Sequence, residues 1–361
     1  MVFVGGPRQV GKTTLAFHLL KNGNERHPDY FNWDFREDRL RIRNGELPFG
    51  DPLLILDEVH KFKDWRNLIK GFYDKFKSKS AFLVTGSARL DYYKRGGDSL
   101  AGRYHYYRLH PFSLKEMAAL GKPADTDSLL KFGGFPEPLH KGSERFWRRW
   151  QKERLDHVIK EDLRDLENVK DVDLVTLLAD TLPLRVGAPL SIKSLREDLE
   201  VAHQTVDRWV RILEHLYFCF RIPPFLGPKI RAVKKEKKLY LWDWSLCADA
   251  GCRFENLVAC QLLKYCHFLE DTQGYRMELR FLRDIDKREI DFVVLRDRRP
   301  QFAVECKTGD SQLSPAIRYY AERTAIPKFY QVHLGKRHFQ KTDQRALVIP
   351  FPLFCQELSL P

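Results

Sequence analysis

Short apolar runs alternate with helically spaced leucines along the first third of the chain. Val2-Phe3-Val4 is the first run, and Leu15, Leu19 and Leu20 follow at the spacing of a helix. Residues 30–35 read as a second strand ending near Asp34, and residues 36–43 as a charged helix. In Pro52-Leu53-Leu54-Ile55-Leu56-Asp57-Glu58, four apolar residues are closed by two carboxylates, the pattern of a buried parallel strand with acids at its C-terminal end. Ala81-Phe82-Leu83-Val84-Thr85-Gly86-Ser87-Ala88 is a further buried run ending in hydroxyls, and residues 104–109 read as a fifth strand. Such alternation predicts an α/β fold with a mainly parallel sheet.

The pattern then changes. Residues 113–170 read mostly helical, with apolar faces at Phe146, Trp147, Trp150, Leu155 and Ile159. Residues 191–199 form a short amphipathic segment. A break at Glu200-Val201-Ala202 separates it from a longer helix marked by Val206, Val210, Leu213 and Tyr217, which predicts a helix-turn-helix. Gln204, Thr205, Arg208 and Arg211 would face away from that core with side chains suited to nucleic acid, against the opposing charges of Asp207 and Glu214. Lys229, Arg231, Lys234, Lys235, Lys237 and Lys238 would form a basic wing, or a solvated face. Further on, Ile290, Phe292, Val294, Phe302, Val304 and Cys306 alternate as one apolar face of two paired strands, with Asp291, Glu305 and Lys307 at the other parity. Asp291 joins the other two only if paired residue numbers sum to an even number, for example Asp291 opposite Lys307. An odd sum would send it through the sheet. A helix over residues 253–265 would carry Glu255 across this sheet.

The chemistry-bearing stretch of the first third is Gly6-Pro7-Arg8-Gln9-Val10-Gly11-Lys12-Thr13-Thr14, which fits G-x-x-x-x-G-K-[ST] at each fixed position, after a strand and before a helix. Gly6 and Gly11 let backbone wrap a phosphate, and the helix N-terminus supplies positive potential. Lys12 would reach the β/γ-phosphates of ATP, and the Thr13 hydroxyl and Asp57 would hold Mg²⁺. Glu58 would position or deprotonate the attacking water. Thr85 or Ser87 would sense the γ-phosphate, and Arg103 or Arg89 would serve as an arginine finger. In the last third, acid, acid, x, lysine at Asp291, Glu305 and Lys307, with Glu255 nearby, fits two carboxylates holding a metal beside a phosphate while a lysine steadies the charge. A structural Glu305–Lys307 ion pair fits it as well.

Composition narrows the class. The chain has 361 residues and a net charge of +13, an excess that permits nucleic-acid binding without locating it. Seven cysteines, an odd number without C-x-x-C or histidine pairing, favour buried thiols in a reducing cytoplasm over disulfides or zinc. No apolar run approaches a membrane span.

Gly6 to Leu15, Leu56-Asp57-Glu58-Val59, Val84-Thr85-Gly86-Ser87, Leu100-Ala101-Gly102-Arg103 and Gly133-Gly134-Phe135-Pro136-Glu137 together resemble a prokaryotic branch of AAA-type ATPases that carries a C-terminal domain of unknown function. The resemblance implies that the helices after residue 113 act as a lid over the nucleotide. The chain starts directly on its first strand, where members of that branch usually carry a further segment that helps cover the adenine. The Asp291–Lys307 stretch is similar to the PD-(D/E)xK nuclease superfamily.

The expected partition is a P-loop ATPase core over residues 1–120, a helical lid or linker over 121–190, a winged helix-turn-helix-like segment over 191–243 and a nuclease-like α/β domain over 244–361. The expected activity is Mg²⁺-dependent ATP hydrolysis driving a switch coupled to DNA binding. The alternatives are an ATP-licensed metal-dependent nuclease and a non-hydrolysing, nucleotide-bound regulator or partner-binding protein. A homo-oligomer is left open.

Overall fold

The computed structural model describes residues 1–48, 52–87, 100, 102–119, 125–157, 163, 171–226, 236–309, 312–341 and 345–361. Two compact units emerge. The first is Met1–His110 with Asp156–Lys170 and His215–Tyr217, and the second is Pro111–Leu155, Asp171–Glu214 and Phe218–Pro361.

In the first unit, strands β1 (Val2–Gly5), β2 (Tyr30–Asn32), β3 (Leu53–Asp57), β4 (Ala81–Gly86) and β5 (His105–Arg108) form one sheet in the order β2-β3-β4-β1-β5. Every pairing is parallel. Helices α1 (Lys12–His18), α2 (Arg36–Asn44) and α3 (Trp65–Phe76) accompany it. Because side chains alternate along a strand, the sheet has two cores. Val4, Tyr30, Ile55 and Leu83 pack with Ala16 and Leu20 on the α1 side. Phe3, Phe31, Leu54, Leu56 and Val84 pack with Ile42, Trp65, Ile69 and Phe72 on the other. The leucine spacing misjudged α1: Leu15 and Leu19 are exposed, and Ala16 and Leu20 make its inner face. The second strand stops at Asn32, short of Asp34.

The second unit begins with helices α4 (Leu114–Ala119), α5 (Thr126–Phe132), α6 (Pro136–Lys141) and α7 (Glu144–Asp156). Gly133 has φ +77, and a Cβ there would lie 2.6 Å from Asp243 Oδ1, so the turn of the Gly133-Gly134 motif admits no side chain. Helices α8 (Val172–Thr181), α9 (Ile192–Leu199) and α10 (His203–His215) precede an antiparallel hairpin of β6 (Cys219–Ile222) and β7 (Lys238–Leu241). Ser191 caps α9, and Glu200 at φ 54 ends it, where the sequence shows its break. Val206, Val210 and Leu213 are buried along α10 while Gln204, Arg208 and Arg211 are exposed. Three helices and a hairpin in this order are the arrangement of a winged helix-turn-helix. Ile159, Arg89, Lys229, Arg231, Lys234 and Lys235 lie outside the described residues.

The rest of the unit is a mixed sheet of β8 (Met277–Arg283), β9 (Glu289–Arg296), β10 (Arg299–Lys307), β11 (Phe329–His333), β12 (Phe339–Lys341) and β13 (Ala346–Pro350), in the order β12-β13-β11-β10-β9-β8. Helix α11 (Ala250–Gln273), capped by Asp249, packs on it, Tyr265 meeting Phe302. Ile317 and Tyr320 of α12 (Pro315–Arg323) pack with Ile290, Val293, Leu295 and Ala303. A terminal helix, α13 (Phe351–Glu357), sets Phe351 against Phe254 and Phe354 against Tyr330. The expected single apolar face was too simple, because Phe292 and Val294 are buried and so are Val293 and Leu295. With apolar residues at both parities, alternation loses its meaning.

The register of the β9–β10 hairpin has a physical cause. Asp297 and Arg298, both at positive φ, make its tight turn. From that turn Arg299 pairs Arg296 and Pro300 pairs Leu295, an odd sum. The register then shifts between Pro300 and Phe302, so that Phe302 pairs Val294 and Val304 pairs Phe292, an even sum. Carried on by one residue, Asp291 stands opposite Glu305 rather than Lys307.

Candidate functional sites

At the C-terminal end of β1, the chain turns through Gly6–Gly11 into α1. A Cβ at Gly6 would lie 2.4 Å from the Leu109 carbonyl oxygen, so only glycine fits there. Gln9 at φ 63 and Gly11 at φ 101 adopt left-handed backbone, a turn whose N–H groups can line an anion cradle. Pro7 and Val10 are buried, Arg8 is half-buried, and Gln9 and Thr14 are exposed. Lys12 opens the helix, and its buried ammonium donates to the carbonyls of Gly6 at 3.1 Å and Pro7 at 2.8 Å.

The sheet brings Asp57 to this loop. Register places Asn32, Asp57 and Thr85 side by side at the ends of β2, β3 and β4. The buried Asp57 carboxylate accepts the Thr13 hydroxyl on Oδ2 at 2.8 Å, the Tyr30 phenol on the same oxygen at 2.9 Å, and the Thr85 hydroxyl on Oδ1 at 2.6 Å. Asn32 in turn donates to the Tyr30 oxygen at 3.2 Å. Burial first, then the Asp57 charge, pushes the Tyr30 phenol far up, so it stays a proton donor. A hydroxyl and a carboxylate this close, beside an anion cradle, are oxygen donors of the kind Mg²⁺ prefers, and the residues present fit that ion.

Glu58 follows at φ 55, a strained left-handed position for a carboxylate. Burial pushes its carboxyl up, against the lowering charges of Lys12 and Lys61. Lys61 lies 3.6 Å from Glu58 and donates to Asp34 Oδ1 at 2.8 Å. His60 Nε2 stands 3.6 Å from Glu58 and 3.2 Å from the Ser87 hydroxyl, linking the end of β4 to Glu58.

Of the two sensor candidates, Thr85 is fully buried and its hydroxyl serves Asp57, which leaves Ser87. Arg103 precedes β5, and β5 runs parallel to β1 with Val2 beside His105 and Gly5 beside Arg108. The arginine therefore lies about 17 Å along the sheet from the end of β1, at the opposite strand ends. There it pairs with Asp74 at 3.1 Å, so it is not a finger for this chain's own nucleotide.

In the second unit, Glu255, Asp291, Glu305 and Lys307 do come together, with a residue expected in the wing. Lys238 opens β7 with no exposed side chain, and its ammonium reaches Glu255 Oε1 at 3.2 Å, Asp291 Oδ1 at 3.4 Å and the Glu289 carboxylate. The Tyr240 hydroxyl donates to Glu255 Oε1 at 2.7 Å, and the Cys306 amide to Asp291 Oδ2 at 2.8 Å. Lys307 donates to Glu305 Oε1 at 2.7 Å, while Glu305 Oε2 is buried and accepts no hydrogen bond among the described residues. Burial, then the Asp291 charge, pushes Glu305 up to about 8 and Glu255 up to about 7. Among the described residues, no three His, Cys, Asp or Glu side chains converge closely enough to hold a metal ion. Cys219, Cys247, Cys260 and Cys266 are buried free thiols, and Cys252 is half-buried.

On α10 the exposed Arg211 is ion-paired with Asp207, and Arg221 binds Glu214 at 2.7 Å. No described helix is long and apolar enough to cross a membrane.

Family models match three stretches of the chain. Residues 1–118 match a family described as AAA domain, residues 124–255 a domain of unknown function (DUF8612), and residues 250–354 another domain of unknown function (DUF4143). An uncharacterized protein of Mycobacterium tuberculosis (Rv2008c) is 24% identical over 68% of this chain and 55% of its own length. The chain thus spans about half of that relative. An uncharacterized protein of Methanocaldococcus jannaschii (MJ1544) is 21% identical over 91% of this chain and 80% of its own. Among solved structures, the Thermotoga maritima RuvB Holliday junction branch migration motor is 18% identical over 62% of this chain and 82% of its own, with TM-score 0.27. The Aeropyrum pernix ORC1 protein in complex with DNA is 15% identical over 72% and 86%, with TM-score 0.34. Scores that low say nothing of function. The parallel five-stranded sheet with its glycine loop and the AAA-domain match together make the first unit an AAA-type P-loop α/β fold.

Proposed function

We propose that the chain is a Mg²⁺-dependent ATPase whose nucleotide state governs DNA binding by its C-terminal half. The observation that supports it most is the 2.8 Å bond between Thr13 and Asp57 beside the buried Lys12. Thr13 and Asp57 would hold Mg²⁺, which when bound neutralises charge on the β/γ-phosphates. Lys12 exchanges its carbonyl partners for phosphate oxygens, a charge-assisted bond stronger than the ones it leaves. Glu58 accepts the proton as the water oxygen attacks phosphorus. Its burial raises its basicity toward neutral pH, where a general base works best. Lys61, anchored by Asp34, and His60, anchored by Ser87, hold Glu58 in place.

DNA binding draws support from the winged helix-turn-helix arrangement and the exposed Gln204, Arg208 and Arg211. Asp207 and Glu214 neutralise part of that face, which favours a modest, nucleotide-dependent affinity. The mixed sheet with Glu255, Asp291, Glu305 and Lys307 is proposed as a PD-(D/E)xK-like fold. The place of its cation is taken by Lys238, so cleavage is not proposed.

The test is ATP turnover with and without double-stranded DNA, in the wild type and in Glu58→Gln. Hydrolysis should fall by roughly 10²–10⁴ in Glu58→Gln, the usual worth of a general base, while ATP binding persists. Turnover equal to wild type would remove Glu58 from the mechanism. DNA affinity indifferent to ATP would remove the switch.

A further inference from the structure

A buried ammonium among carboxylates invites the question of what else that site could hold. Lys238 reaches acids on two different elements, Glu255 on α11 and both Glu289 and Asp291 on β9, from its own place on β7. Its side chain is fully buried, and Phe281 lies 5.7 Å from the ammonium, closing another side. Most of the acid oxygens are already committed. Asp291 Oδ1 faces Lys238 and Oδ2 takes the Cys306 amide. Glu255 Oε1 takes both Lys238 and Tyr240. Glu289 divides its oxygens between Lys238 and Arg283, the latter at 3.2 Å. Gly187 at φ +75 brings backbone so near Glu255 that a Cβ would sit 3.1 Å from its carboxylate. Glu305 Oε2 is buried without a hydrogen-bond donor among the described residues. A hard divalent cation seeks about six oxygens and would find most of the acid oxygens engaged and an ammonium in its path.

We propose that Lys238 is the resident cation of this cluster. It occupies the position a divalent metal would need, and it ties the wing strand β7 to α11 and β9 as a metal-free joint. Three carboxylates brought together by folding require a positive partner. The chain supplies that partner from the hairpin instead of from solvent. The site therefore performs no metal-assisted phosphodiester chemistry, and its chemistry is structural coupling between the winged segment and the mixed sheet.

Mn²⁺ alone is the probe, titrated into the full chain without nucleotide and read by electron paramagnetic resonance and by thermal midpoint. In the wild type, Asp291→Asn and Glu305→Gln should leave the number of bound Mn²⁺ unchanged. Lys238→Met should gain one Mn²⁺ per chain with a rise in midpoint, and adding Asp291→Asn should abolish that gain. Lys238→Arg, which keeps the charge, should stay folded and gain none. Wild-type Mn²⁺ binding that disappears in Asp291→Asn would overturn the proposal. So would a folded Lys238→Met chain that gains no ion. Should Lys238→Met fail to fold, the wild-type and Asp291→Asn titrations decide the matter between them.

Discussion

Lys12 and Lys238 are both buried ammonium groups near carboxylates, and their surroundings differ in kind. Neutral dipoles make the close hydrogen bonds of Lys12 and Asp57 in the first site, where the Glu58 charge acts on Lys12 from farther away. Lys12 rests on two peptide carbonyls, and Asp57 is held by three hydroxyls. Opposite charges hold the charged groups of the second, where Lys238 lies against three acids and Lys307 against a fourth. A charge held by dipoles keeps its field for a charged ligand, because carbonyl and hydroxyl bonds exchange for phosphate or metal bonds at little net cost. A charge neutralised by its own chain has already spent that field on the fold. The same residue types thus make a binding site in one unit and a fastener in the other.

Replacing each lysine would break or sharpen that contrast, beginning with the largest effect. Lys12→Ala should lower ATP turnover by roughly 10²–10³, the scale of one lost electrostatic donor at a transferring group, with thermal stability unchanged in the absence of nucleotide. A large loss of stability would mean that Lys12 is also a fastener. Lys238→Met should do the reverse. Denaturant unfolding of the second unit should lose about 3–5 kcal/mol, the cost of leaving buried acids without their cation, while turnover in the first unit persists. A loss under about 1 kcal/mol would place Lys238 among ordinary surface pairs.

Proton linkage gives the third test. Glu255 and Glu305 are raised in the folded chain, to about 7 and about 8, above the 4.5 of an ordinary glutamate. Folded protein therefore binds more protons than unfolded protein across that window. Stability from this pair is fully present below about pH 4.5 and is lost as pH rises toward 8, at up to about 1.4 kcal/mol per unit for each proton. The decline between pH 5.5 and 8.5 should flatten in Glu305→Gln, and an equal slope in both chains would deny the coupling. The smallest effect belongs to Tyr30. Tyr30→Phe removes one bond to Asp57 and should raise the Mg²⁺ needed for half-maximal turnover roughly fivefold, about 1 kcal/mol, without altering metal-free nucleotide binding. An unchanged Mg²⁺ requirement would make Tyr30 a packing residue only.

What could be read in advance follows from how local each signal is. The glycine loop, Lys12, Asp57 and Glu58 lie within contiguous stretches whose spacing alone carries their chemistry. Tyr30 was invisible because its partner is set by strand order: only with β2 beside β3 does its phenol meet Asp57. Arg103 was misplaced for the same reason, since a motif shows a neighbourhood in sequence but not which end of a sheet it occupies. Lys238 was hidden in a lysine-rich run. The signal was there in Lys238-Leu239-Tyr240-Leu241, where period two puts the lysine and the tyrosine on one face of an otherwise apolar strand. Both side chains meet Glu255.

The register shift at Gln301 has a consequence for how this region can vary. Between the turn at Asp297-Arg298 and the acids, β10 carries one residue more than β9. Substitutions there alter only local chemistry. Deleting that extra residue from β10 would remove the irregularity and leave Asp291 opposite Glu305, whereas deleting one residue of β9 between Asp291 and Val294 would set Asp291 opposite Val304, on the other face. A one-residue deletion in β10 here should therefore recur among functional variants, while deletions in β9 between Asp291 and Val294 should be rare, whatever amino acids they carry.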